Sequence, residues 1–284
     1  MNIHLLAIDP QNDFCDTPER NLPRDVNGHV IARPSLSVAG ATGDLSRLGS
    51  FIQEMGSRLS NLTVTLDSHP FVAIERPTFW KNAEDQHNLV SPFTQISLAD
   101  VKSGKYVPRF EMDTVLMQLE RLEAKGEKLM IWPVHCVTGT WGHMLNESVA
   151  SAVHGWEFLT GRPAQMVSKG ACPWTEHYGI FVAETPLPEW DNTQFNFTLA
   201  NHISAADKLV VAGEAASHCV RASVMQLVEA ADDGLIDFDP AKVVLLTDCM
   251  SPVAGFEQQV SDFFEYMQSR GASCMGWADA VESL

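Results

Sequence analysis

Short apolar runs recur along the chain, and most stop at a polar or small residue, where a turn should begin. Ile3–Asp9, Thr63–Asp67, Lys128–His135, Gln165–Lys169, Lys208–Gly213 and Lys242–Asp248 are rich in Val, Ile and Leu without clean alternation, the pattern of strands covered on both faces. Between them, Leu36–Leu59, Met112–Lys125, Trp141–Trp156, Cys219–Ala231 and Phe256–Ser269 carry apolar residues at helical spacing, such as Val115, Leu119 and Leu122. Alternating strands and helices predict an α/β fold: a parallel sheet in the middle of three layers, with helices on both faces. Such sheets bind ligands beyond the carboxyl ends of their strands, so the residues just past each strand are where chemistry should be sought.

Two stretches break the alternation. Residues 70–107 contain Pro77, Trp80, Pro92 and Phe93, and residues 172–196 contain Pro173, Trp174, Pro186, Pro188 and Trp190. Both are too long and irregular for plain connections and read as aromatic-rich insertions, either binding walls or oligomer contacts, in a single domain spanning residues 1–284.

Charge narrows the partners. The chain has 19 Lys plus Arg against 36 Asp plus Glu, a formal net charge of −17, and no basic cluster. Such a surface repels phosphate backbones and anionic lipids, so nucleic acid and membrane are not expected partners and a small neutral substrate is. The first lysine or arginine is Arg20, after an apolar run broken at Asp9, which argues against a signal peptide. Six cysteines (15, 136, 172, 219, 249 and 274) show no C-x-x-C spacing, so neither a disulfide framework nor a thiolate zinc site is expected, and a reducing cytoplasm is.

The predicted strand ends collect Asp9, Asp67 with His69, His135, Lys169, Cys219 and Asp248. Singly each has a plain structural use, since an Asp ending a strand is commonly a helix cap and a buried Cys a small hydrophobe, and Asp248 is read that way. The others coincide at one sheet edge, which favours a site. Cys219 follows the small-residue turn Gly213-Glu214-Ala215-Ala216-Ser217-His218 and should open a helix. That position lowers a thiol pKa and offers backbone N–H groups to an oxyanion. His218 is a poor partner because neighbours on a helix diverge. Asp9 and Lys169 are better placed.

Ala7-Ile8-Asp9-Pro10-Gln11-Asn12-Asp13-Phe14, Ser168-Lys169-Gly170 and Gly213 through Val220 resemble three signature segments of the isochorismatase-like cysteine hydrolases, from residue 3 to about residue 255. The resemblance implies a Rossmann-like three-layer fold and an Asp9–Lys169–Cys219 triad. It further implies an oxyanion site at the N–H groups of Ala215 and Cys219, with a cis peptide at Glu214–Ala215. Asp67-Ser68-His69-Pro70 and Trp132-Pro133-Val134-His135-Cys136-Val137 look like the metal-binding segments of the nicotinamidase branch. One carboxylate and two imidazoles leave open positions on a divalent, zinc-type ion, as catalytic sites do.

That branch implies hydrolysis of nicotinamide or a related small carboxamide through a thioester, aromatic walls at Phe14 and Trp132, and a homo-oligomer. The sequence departs from the branch in a longer insert between Asp67 and His135, and in Ala171-Cys172-Pro173-Trp174-Thr175-Glu176 after Gly170. Both departures touch the pocket wall. A cysteine hydrolase of another small amide or carbamoyl compound, and an idle binding protein of the same fold, are the alternatives.

Overall fold

The computed structural model describes residues 1–83 and 89–284. Its strands are β1 Ile3–Ile8, β2 Leu59–Asp67, β3 Trp80–Asn82, β4 Gln95–Ile96, β5 Tyr106–Pro108, β6 Leu129–Met130, β7 Gln165–Lys169, β8 Lys208–Gly213, β9 Val243–Leu246 and β10 Ser273–Met275. Its α-helices are α1 Ala41–Met55, α2 Leu98–Lys102, α3 Met112–Ala124, α4 Glu147–Thr160, α5 Phe197–Ser204, α6 Arg221–Asp232, α7 Glu257–Ser269 and α8 Trp277–Ser283. Six strands form one sheet in the order β10-β9-β8-β1-β2-β7, and every pairing in it is parallel.

Both faces of this sheet are covered, which is why its central strands are continuously apolar. On one face Leu6, Ile8, Leu209, Val211 and Leu245 pack against α5, α6 and α7. On the other, Leu5, Ala7, Val64, Val210 and Leu246 pack against α1, α4 and α8. This is the three-layer α/β architecture the alternation predicts, and no helix among the described residues is long and apolar enough to cross a membrane. All six cysteines are unpaired.

Some expected elements differ: the helix read over Leu36–Leu59 is confined to Ala41–Met55, and that read over Trp141–Trp156 begins at Glu147. Lys128–His135 is a strand only at Leu129–Met130, paired antiparallel with β4 outside the main sheet. The turns of Trp132–Cys136 are held instead by side chains and single backbone bonds, such as Trp132 N–H to the Glu75 carbonyl. The sixth strand of the main sheet is the short β10, whose Ser-Cys-Met carries no apolar run to betray it. The insertion at 70–107 has a core of its own, in which Ile74, Phe79, Trp80 and Ile96 meet Val115 and Leu119 of α3. Residues 84–88 of this insertion lie outside the described residues.

Register brings the functional strand ends level. Ile8 pairs with Gly213 across β1 and β8, and Asp67 pairs with Lys169 across β2 and β7. Gly213 makes the first junction possible. Its φ is +122°, and a Cβ there would lie 1.9 Å from the Ile8 carbonyl oxygen, a backbone atom that cannot swing aside. Gly213→Ala is therefore expected to lower stability by about 3 kcal/mol or more, read as a fall in the urea midpoint; an unchanged midpoint would show that β1 and β8 can separate without cost.

Candidate active site

Asp9 leaves β1 with a left-handed backbone, φ +43°, and is fully buried. Its amide donates to Thr65 Oγ1 at 2.9 Å, and the same hydroxyl donates to Asp9 Oδ1 at 2.5 Å. Lys169, the last residue of β7, places Nζ 3.0 Å from Asp9 Oδ2, 2.8 Å from Asp67 Oδ1 and 3.5 Å from Cys219 Sγ, and donates also to the His177 carbonyl at 3.1 Å. The three groups of the expected triad thus meet around one ammonium.

Cys219 does not open an α-helix. It lies in a π-helical turn, Ala216–Val220, after which α6 starts at Arg221. The wider turn follows a cis Glu214–Ala215 peptide, as the family resemblance implied. Ala215 and Cys219 both line the inner cavity. The expectation of a lowered thiol pKa is not met. Burial pushes the Cys219 thiol well above its ordinary value; Lys169 pulls it down, but Asp9 and Asp67 push it up. Burial likewise raises Asp9, against the pull of Lys169. In the resting site, burial thus opposes the charged form of both the thiol and the Asp9 carboxyl.

Asp67, His69 and His135 form a second cluster, with one donor atom from each lying within 4.8 Å of the others. His69 Nε2 is 2.7 Å from Asp67 Oδ1 and His135 Nε2 is 3.2 Å from Asp67 Oδ2. The chemistry of this set fits a divalent cation. His135 Nδ1 lies within hydrogen-bond reach of the Pro133 carbonyl, at 2.8 Å, and of the Arg76 guanidinium, and burial with that guanidinium lowers the His135 pKa to about 4, the neutral form a ligand needs. Behind His69, Glu75 Oε1 lies 3.1 Å from Nδ1. Burial alone would raise Asp67, but His69 and Lys169 hold it well below the carboxylate range, so it is ionised.

The remaining expected residues also arrive here. Phe14 and Trp132 line the cavity, and Phe14 meets His135 edge to face at 5.4 Å. The inner cavity is small, about 30 Å³. An outer groove of about 740 Å³ shares Trp132, Tyr178 and His218 with it. Trp132 Nε1 donates to Tyr178 Oη at 2.9 Å, and the His218 ring packs 5.0 Å from Trp132, so these rings form the wall between the two spaces. Asp248 caps α8, accepting from Trp277 N–H at 2.9 Å, in keeping with its structural reading.

Several residues with no assigned role hold the site in place. Gln11 accepts from Asp67 N–H at 2.8 Å and donates to the Asp67 carbonyl at 2.9 Å, standing in for a neighbouring strand where the sheet ends. Asp13 accepts from Cys136 N–H at 2.6 Å and so fixes the left-handed turn just after His135. Gln11 and Asp13 lie in the first signature segment, where an amide and a carboxylate two residues apart past a strand end were a usable signal. Tyr178 and His177 come from the second insertion, whose sequence carries no periodic cue.

No family model matches the chain. The nicotinamidase of Saccharomyces cerevisiae is 22% identical over 225 residues, covering 79% of this chain and 81% of that protein. Among solved structures, the Acinetobacter baumannii nicotinamidase/pyrazinamidase is similar with a TM-score of 0.62 at 17% identity, covering 98% of each chain. The Pyrococcus horikoshii pyrazinamidase, solved in complex with zinc, is similar at 0.51 and 19%, covering 97% of this chain and 99% of its own. The fold is the one those structures share.

Beside the π turn, Glu214 is fully buried, and burial followed by the nearby Asp44 carboxylate pushes its carboxyl well above the carboxylate range. The folded chain therefore keeps this proton at neutral pH while the unfolded chain loses it, and the stability it supports declines as pH rises above the unfolded value. Glu214→Gln removes the titration. Its gain in melting temperature over wild type should grow from pH 5 to pH 8, with a slope of up to about 1.4 kcal/mol per pH unit; an equal difference at both pH values would place an ionised Glu214 in the folded state.

Proposed function

We propose, from the nicotinamidase-like branch of the isochorismatase-like hydrolases that these likenesses support, that the chain is a cysteine amidohydrolase cleaving nicotinamide or a close pyridine carboxamide to the acid and ammonia. The observation that carries the reading is the convergence of Asp9, Lys169 and Cys219 on one buried cavity beside Asp67, His69 and His135.

In the acylation step Asp9 takes the Cys219 proton as the sulfur attacks the carboxamide carbon, and Lys169 keeps both developing charges solvated in a site that excludes water. The carbonyl oxygen becomes an oxyanion beside the backbone N–H groups of Ala215 and Cys219. Asp9 then returns the proton to the nitrogen, the C–N bond breaks, ammonia leaves and a thioester remains. Water attacks that thioester with Asp9 again accepting its proton. The C–S bond breaks, the acid leaves, and the proton returns to sulfur. Asp67, His69 and His135 would hold the divalent ion, zinc by the chemistry of one carboxylate and two imidazoles. When bound, the ion supplies a Lewis acid that can meet a ring nitrogen and orient the substrate.

Two features support a flat aromatic substrate: the edge-to-face wall of Trp132, Tyr178 and His218, and the cation ligands with Phe14 packed beside His135. An inner space of about 30 Å³ holds only about two waters, so the ring wall must part to admit a substrate. An idle binding protein would have no use for a cation buried against two carboxylates and a thiol, an arrangement that is costly to bury.

The test is ammonia release from nicotinamide, pyrazinamide and a panel of aliphatic amides. Pyridine and pyrazine carboxamides should turn over, aliphatic amides should not, and Cys219→Ala should abolish turnover while melting as wild type does. Background nicotinamide turnover by metal-replete protein that still hydrolyses another amide would reassign the substrate and leave the chemistry. Elemental analysis should find a divalent ion in wild type and lose it in His135→Ala; protein that is active without metal and indifferent to chelators would remove the cation from the account.

A further inference from the structure

We infer that Thr65 is a positioning residue for the nucleophile: its hydroxyl reserves one oxygen of Asp9 and so decides which oxygen exchanges a proton with Cys219. The inference rests on the reading of Asp9 as the base. β2 is covered on both faces, yet Thr63, Thr65 and Asp67 follow one another at alternate positions and all are buried. Alternate residues of a strand share a face, so a polar file runs through this part of the sheet and ends at the site. Thr63 spends its hydroxyl at the far end of the file, meeting His4 Nε2 at 2.8 Å. The Thr65 hydroxyl meets Asp9.

The donor count fixes the direction of each bond. The Asp9 amide can only donate, so at 2.9 Å it must donate to Thr65 Oγ1. The single hydroxyl proton is then left for Asp9 Oδ1, 2.5 Å away. Oδ1 is therefore occupied whatever happens at sulfur. Oδ2, 3.0 Å from Lys169 Nζ, is the oxygen left to exchange a proton with the thiol. Asp9 needs this restraint. It stands past the end of β1 with φ +43°, outside the strand ladder, so its side-chain rotation is set by the Thr65 hydroxyl on one oxygen and Lys169 on the other. Without the hydroxyl the carboxylate can turn and present both oxygens to Lys169, drawing the ammonium away from a sulfur it reaches only at 3.5 Å.

The experiment measures iodoacetamide alkylation of Cys219 at neutral pH, by peptide mass mapping, in wild type, Thr65→Val, Thr65→Ser and Asp9→Asn, with kcat and KM on the amide substrate and thermal melts alongside. Thr65→Val keeps the shape and removes the hydroxyl. It should slow Cys219 alkylation and kcat together by about 10-fold or more while KM stays within about 2-fold, and Thr65→Ser should recover most of both. If Thr65→Val does not fold, Thr65→Ala takes its place. Wild-type rates in a folded Thr65→Val, a Thr65→Ser as slow as Thr65→Val, or an Asp9→Asn that alkylates as fast as wild type would each overturn the inference. Thr65-dependent alkylation in a protein that hydrolyses no amide would uphold it and overturn the amidase reading instead.

Discussion

The Lys169 ammonium lies 3.0 Å from Asp9 Oδ2, 2.8 Å from Asp67 Oδ1 and 3.5 Å from Cys219 Sγ, and almost none of it reaches solvent. Two carboxylates this deep in a protein would repel each other and shed their charge by taking up protons. His69, together with the one cation between them, keeps Asp67 ionised, and that cation links it to Asp9 and the thiol. Removing a partner from so buried a group typically costs about 3–5 kcal/mol, because the charges left behind are unpaired. The two ion pairs of Lys169 therefore tie the ends of β1, β2 and β7 together.

The rest of the architecture can be understood as what is needed to deliver those groups to one point. Parallel register sets Asp67 beside Lys169 and Ile8 beside Gly213, so Asp9 and the Glu214–Val220 turn emerge at neighbouring positions. Past the strand ends there is no ladder to satisfy the backbone, and side chains do that work: Thr65 for Asp9, Gln11 for Asp67 and Asp13 for Cys136. The two aromatic-rich insertions contribute mass around this edge. The first builds its own core on α3, and the second brings Tyr178 against Trp132 and the His177 carbonyl to Lys169.

The parts legible in the sequence were those with a strong local signature. Doubly buried strands such as Lys208–Gly213 show as unbroken apolar runs, and chemistry-bearing residues at their ends, Asp9, Lys169 and Cys219, stand out against them. Parts set by tertiary context were not legible. Lys128–His135 is apolar enough for a strand, yet β7 takes the place beside β2, and most of the segment runs irregularly and reaches the cavity through side-chain support. The thiol pKa was misjudged for a related reason: a helix start argues for a lower value, but burial beside Asp9 and Asp67, invisible in a linear chain, raises it. Thr65 escaped because a threonine inside a β-branched run looks like any strand residue. Only the structure shows that its hydroxyl faces a carboxylate.

The central claim is that Cys219, held with Asp9 around Lys169, attacks an amide carbon and carries the acyl group. Rapid acid quenching of the enzyme during nicotinamide turnover, followed by peptide mapping, tests this directly. The account predicts a nicotinoyl group on the peptide containing Cys219, absent at time zero and lost when hydroxylamine is added. Steady turnover with Cys219 unmodified throughout, or with the acyl group on another residue, would contradict it.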